Sequence, residues 1–181
     1  MERQKMIFIT GGARSGKSSF AEKLAIDYAG ATNSRNLYYV ACGLASDSEM
    51  KERIVCHKQD REASTIPWQT IECPYDLGKV DIPNGSVVLL DCVTTLLSNE
   101  MYANDKESDE KLVDDIIKDI QSIHAQSTLL VVVSNELQSG VPIENEFVFH
   151  YQYKLGRLHQ ALVKYSSEAV LMEAGLPIHQ K

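Results

Sequence analysis

Apolar residues in this chain follow two rhythms, and the switches between them predict the order of its elements. Residues 6–10, "MIFIT", are apolar at nearly every position, as a strand covered on both faces must be. Over residues 17–29 the spacing changes, and Phe20, Leu24 and Tyr28 share one helical face with Ala21 and Ala25 beside them. Residues 36–42, 68–73, 85–93, 128–136 and 168–175 read as further strands. Between them, residues 109–125 carry Val113, Ile116, Ile117, Ile120 and Ile123 on one helix face. Residues 144–166 do the same with Tyr151, Leu155, Leu158, Leu162 and Tyr165. "SDSEMKERIVCHKQD" opens with Ser46 and has Glu49 three residues on, the capping-box pattern of a helix start. The polar segment 98–110 reads as a mobile loop. Buried strands separated by helices predict a single α/β domain over residues 1–181, a mostly parallel sheet with helices on both faces.

Composition narrows the partners. The 181 residues are 44% hydrophobic and 24% charged, ordinary for a soluble globular protein. The net charge of −7 argues against a general nucleic-acid or anionic-membrane surface, while leaving room for a local basic pocket. The longest apolar runs, "VVLL" and "LLVVV", fall far short of a membrane span. "MERQKMIFITGG" has neither the apolar core nor the cleavage site of a secretory signal, so a cytoplasmic protein is expected. Cys42, Cys56, Cys73 and Cys92 form no CxxC pair, and reduced thiols are expected rather than a zinc site.

The first strand ends in a turn with chemistry in it. Gly11, Gly12, Ala13, Arg14, Ser15, Gly16, Lys17 and Ser18 satisfy G-x-x-x-x-G-K-[ST], between a strand and a helix. Glycines let successive N–H groups face a phosphate, and the following helix adds its positive end. Lys17 would reach the β- and γ-phosphates, and the Ser18 hydroxyl would ligate Mg²⁺. The competing reading is a glycine turn with an incidental lysine. Asp91, ending "VVLLD", is placed to send a carboxylate towards the same Mg²⁺, or merely caps its strand. Neither motif distinguishes a kinase from a switch or a ligase.

A second constellation bears on that choice. Arg53, His57 and Arg61 recur every four residues, so a helix would set them on one face, with Lys58 adjacent. An imidazole can attack an α-phosphorus and form a phosphoramidate, and flanking guanidiniums would neutralise the transferring group. The bland alternative is the solvated face of a charged helix.

"FITGGARSGKSSFAEKLA", "RIVCHKQDR" followed by "WQTIE", "LLDCVTTLLSN", "VVVSNE" and "GRLHQAL" occur in that order. In this the chain resembles the bifunctional adenosylcobinamide kinase/adenosylcobinamide-phosphate guanylyltransferases. The resemblance implies a P-loop NTPase fold, a homotrimer and a cytoplasmic enzyme of cobalamin biosynthesis. Such enzymes phosphorylate adenosylcobinamide with ATP or GTP, then pass GMP from GTP to that phosphate through a guanylyl-histidine. The resemblance makes His57 the nucleophile and residues 11–18 the phosphate loop. It puts Ala41, Cys42, Gly43, Lys58, Gln59, Asp60, Arg61, Glu72 and Asp91 at the guanine nucleotide. The match is uneven in the last third: Leu137 to Gly140, Phe149 to Tyr153 and His159 depart from the family's usual residues, as does Glu62 earlier. Two other readings stay open on the residues themselves, a P-loop kinase of another small molecule and a nucleotide-binding regulatory protein without turnover.

Overall fold

The computed structural model describes residues 4–43, 66–103, 110–137 and 145–181. In chain order the elements are β1 (Lys5–Gly11), α1 (Lys17–Ala31), β2 (Leu37–Ala41), β3 (Gln69–Glu72), β4 (Ser86–Asp91), α2 (Val93–Ala103), α3 (Leu112–Gln126), β5 (Ser127–Asn135), α4 (Glu146–Tyr165), β6 (Glu168–Glu173) and β7 (Leu176–His179). The strands form one seven-stranded sheet in the order β3-β2-β4-β5-β1-β6-β7. All neighbours run parallel except β6 and β7. The predicted α/β sheet is therefore present. The helix expected from Ser46 lies outside the described residues.

Period-two alternation sorts the strand side chains into two cores. Ile7, Ile9, Tyr39, Val87, Leu89, Val131 and Val133 share one face with α1. Met6, Phe8, Val40, Val88, Leu90, Leu130 and Val132 face α2, α3 and α4. The deepest stripe of α1 is Ala21, Ala25 and Ala29, each fully covered, while Phe20, Leu24 and Tyr28 pack at its flanks. Small side chains at four-residue spacing let this helix approach the sheet closely.

Three expectations change. The polar segment 98–110 is not loop throughout, because α2 runs to Ala103 and buries Val93, Leu96, Leu97 and Met101 at helical spacing. Asn99 Nδ2 donates to the Cys42 and Pro74 carbonyls at 2.9 and 3.1 Å, tying this helix to the ends of β2 and β3. The strand expected over 168–175 stops at Glu173, and Ala174 and Gly175, with φ of 49° and 82°, reverse the chain into β7. Two residues at positive φ form the turn whose twist suits a hairpin. Tyr165, assigned to the apolar face of α4, is the last residue of that helix and stands exposed. That helix starts as its sequence dictates, with Asn145 Oδ1 accepting the Val148 N–H.

Candidate active site

The first parallel strand delivers its last residue, Gly11, into a crowded spot. A Cβ there would meet the Met172 carbonyl at 2.5 Å and Ser15 Oγ at 2.6 Å, so only glycine fits. Arg14 at φ 59° and Gly16 at φ 87° then curl the chain into the start of α1. Gly16 at its N-cap position supplies no side-chain cap, and no acidic residue lies in its first turn. The N–H groups of a helix's first turn and the positive end of its dipole are the arrangement that takes up an anion. Ser15 Oγ is buried without a hydrogen-bond partner, a further polar group awaiting a ligand. The Lys17 side chain is buried, and its ammonium donates to the Gly12 carbonyl at 2.9 Å. Ser18, also buried, follows it. The loop is supported from outside by the β6–β7 turn, whose Gly175 N–H donates to the Ser15 carbonyl at 3.1 Å.

The other described sequence-selected residues line the same edge of the sheet. Glu72, Ala41 and Asp91 stand side by side in register on β3, β2 and β4. The Cys42 N–H bonds the Asp91 carbonyl at 3.0 Å, and Gly43 follows. Alternation puts Asp91 on the face of Val87 and Leu89, which is the α1 face. Strand β5 separates β4 from β1, so the aspartate strand is two strand spacings, about 10 Å, from the loop strand. His57, Lys58, Gln59, Asp60 and Arg61 lie outside the described residues.

The donor set suits a small hard cation. Ser18 offers a hydroxyl and Asp91 a carboxylate, oxygens of the kind that take Mg²⁺ alongside phosphate and water. Burial pushes the neighbouring Cys92 thiol up and the Cys42 thiol well up, with the other thiols and Asp91 adding to the effect on Cys42. Cys42, Cys73 and Cys92 are free thiols. Among the described residues no group of three or more histidine, cysteine, aspartate or glutamate side chains is arranged to hold a metal.

Two arrangements at this edge were not read from the sequence. On the α1 face, the Tyr39 hydroxyl donates to Asp91 Oδ2 at 3.0 Å. On the opposite face a polar chain crosses three elements. The Asn135 N–H donates to Thr94 Oγ1 at 2.6 Å, Thr94 Oγ1 meets Ser134 Oγ at 2.8 Å, and Ser134 Oγ meets His159 Nε2 at 2.7 Å. This chain braces the tip of β5, whose next residue, Glu136, sends its N–H to the Gly11 carbonyl at 2.9 Å. In the sequence His159 stands out only as a departure from the family's usual residues.

Burial pushes His159 down to about 4, against a weaker upward pull from the Glu136 carboxylate. The folded protein then holds it neutral while the unfolded chain binds a proton below about 6.5. Stability is therefore lost as pH falls from about 6.5 to about 4 and levels off below, by up to about 3 kcal/mol from this residue. His159→Asn is expected to flatten that part of a stability-versus-pH curve from urea unfolding. Parallel curves for the two proteins would refute the assignment, since the burial-lowered His124 contributes equally to both.

Residues 7–180 match the family described as cobinamide kinase / cobinamide phosphate guanyltransferase. The chain is 35% identical to the bifunctional adenosylcobalamin biosynthesis protein CobU of Escherichia coli (strain K12), covering 97% of this chain and 99% of that protein. It is 32% identical to the bifunctional adenosylcobalamin biosynthesis protein CobP of Pseudomonas aeruginosa, covering 96% and 95%. Among solved structures, the flagellar accessory protein FlaH of Methanocaldococcus jannaschii superposes with a TM-score of 0.53 at 14% identity, over 94% of this chain and 72% of that one. That likeness is one of fold alone.

Proposed function

Because the chain belongs to the cobinamide kinase / cobinamide phosphate guanyltransferase family, we propose that its one nucleotide edge serves two successive transfers. In the first, the aminopropanol hydroxyl of adenosylcobinamide attacks the γ-phosphorus of ATP or GTP, and the nucleoside diphosphate leaves. In the second, His57 attacks the α-phosphorus of GTP and pyrophosphate leaves. The substrate's new phosphate then takes the guanylyl group from the histidine, giving adenosylcobinamide-GDP.

The observation that carries this reading is the phosphate loop, with its helix N-terminus, buried lysine and unpartnered Ser15 hydroxyl. Backbone N–H groups of residues 11–18 would hold the triphosphate, and Lys17 would neutralise charge on the oxygens that carry it. Ser18 and Asp91 would hold Mg²⁺, which when bound shields the phosphates and fixes their conformation. Glu72, with Ala41 to Gly43 and Lys58 to Arg61, would form the nucleotide's other wall. No described helix is long and apolar enough to cross a membrane. A cytoplasmic homotrimer acting on small molecules, without nucleic acid, completes the reading, by resemblance to the family.

The test is incubation with α-labelled GTP and Mg²⁺, followed by denaturing electrophoresis, and separately with adenosylcobinamide and ATP, followed by mass spectrometry. Acid-labile, alkali-stable label on the protein and a phosphorylated corrinoid are expected. A folded, GTP-binding protein that gives neither would sink the proposal. Phosphorylation without label would leave a simple kinase.

A further inference from the structure

Asp91 is a carboxylate at the end of a strand, free by its covalent structure to rotate. Its orientation comes from elsewhere. Tyr39, a strand away on β2 and on the same face of the sheet, is almost wholly buried, and its hydroxyl donates to Asp91 Oδ2 at 3.0 Å. The register explains the reach: Tyr39 pairs with Leu89, and Ala41, the next residue on that face, pairs with Asp91. Ala41 is too small to stand between the ring's tip and the carboxylate. Trp68 packs edge-on against the same ring, with centroids 6.1 Å apart and planes at 84°, and fixes it from the β3 side.

We propose that Tyr39 is a positioning residue for the divalent cation of the nucleotide site, occupying Asp91 Oδ2 so that Oδ1 is presented to the metal; this rests on the reading of Asp91 as a metal-holding residue. A carboxylate with one oxygen engaged by a buried donor has a defined free oxygen, and its ordering need not be repeated each time a metal arrives. The phenol suits the task because its hydroxyl donates while its ring fills the space between α1 and the sheet. Magnesium demands near-ideal geometry, so a fixed ligand oxygen matters more here than for a larger, more tolerant ion.

The chain's single tryptophan makes the contact observable, since Trp68 touches the ring that touches the carboxylate. The experiment titrates the metal-free GTP complex with Mn²⁺, reading bound ion by electron paramagnetic resonance and Trp68 by fluorescence. Wild type is compared with Tyr39→Phe and Asp91→Asn, and GTP affinity is measured separately in chelator. Phenylalanine keeps the ring against Trp68, so the fold is retained. Tyr39→Phe is expected to weaken Mn²⁺ binding about 10-fold, with metal-free GTP affinity changed less than about 2-fold. Mn²⁺ binding unchanged in Tyr39→Phe but weakened in Asp91→Asn would overturn the role of Tyr39 alone. Equal losses of Mn²⁺ and metal-free GTP affinity in Tyr39→Phe would reduce it to a structural residue. Unchanged Mn²⁺ binding in Asp91→Asn would overturn the reading of Asp91, and with it the basis for this inference.

Discussion

Lys17→Met is expected to leave a folded protein in which both transfers fall by about 10³-fold or more. The methionine keeps most of the stem that lies buried at the start of α1, so circular dichroism and the thermal midpoint should change little. What disappears is a buried ammonium that donates to the Gly12 carbonyl, in a place where charge is screened far less than in water. In the kinase step, on the proposed reading, that charge would face the departing diphosphate and the γ-phosphoryl group. In the transferase step it would face the departing pyrophosphate. One residue would thus serve two reactions, and the two rates should fall together. Steady-state assays of each step, run on the same preparation, check this. A loss confined to one step, or smaller than tenfold in both, would show that the lysine is not the shared charge.

The second large effect is a split. His57→Asn should remove protein guanylylation to background, about 10⁴-fold or more, while phosphorylation of adenosylcobinamide stays within about 3-fold. Asparagine can hydrogen-bond much as imidazole does, but it cannot form the phosphoramidate. The comparison of label on the protein with phosphorylated corrinoid therefore separates a nucleophile from a binding residue. If label persists in the variant, another side chain carries the guanylyl group. If phosphorylation collapses as well, His57 contributes to nucleotide binding in general.

How much of this was legible in the sequence depended on the distance over which each feature is decided. The glycine-rich turn was plain because its motif is contiguous, within residues 11–18, although its support from Met172 and Gly175 was not. The buried strands were plain because an apolar run needs only to be covered. Helix α2 was missed because Val93 was read into the strand and Met101 into the polar segment, which left Leu96 and Leu97 between them without an element. Glu100 is buried in that segment and accepts the Asp76 N–H, a use of a carboxylate that no local pattern announces. Strand β7, "LPIH", is exposed along its length and contains Pro177, so alternation had nothing to mark; the turn at Ala174 and Gly175 creates it.

At the site, the missed residues are those whose roles are tertiary. Tyr39 and Asp91 are 52 residues apart, and Ser134 and His159 are 25 apart. A buried tyrosine on a strand beside one ending in aspartate was the available signal for the first pair, since a buried phenol hydroxyl needs a partner. Nothing comparable marked Ser134 or Thr94, which read as ordinary small polar residues at element ends.

The position of β1 in the sheet has a consequence for how the protein comes into being. That strand precedes the others in sequence yet pairs with β5, residues 127–135, on one side and β6, residues 168–173, on the other. Its loop leans on Gly175. During synthesis the phosphate loop is made early and must wait for most of the chain before it has walls. Pairings across such long sequence separations close loops at high entropic cost and form slowly. Nucleotide should therefore be captured only at the end of folding, and nucleotide present at that moment would draw the last strands into register. The ligand would then act as a clasp on a nearly finished fold, and refolding monitored by GTP binding should lag behind refolding monitored by helix content.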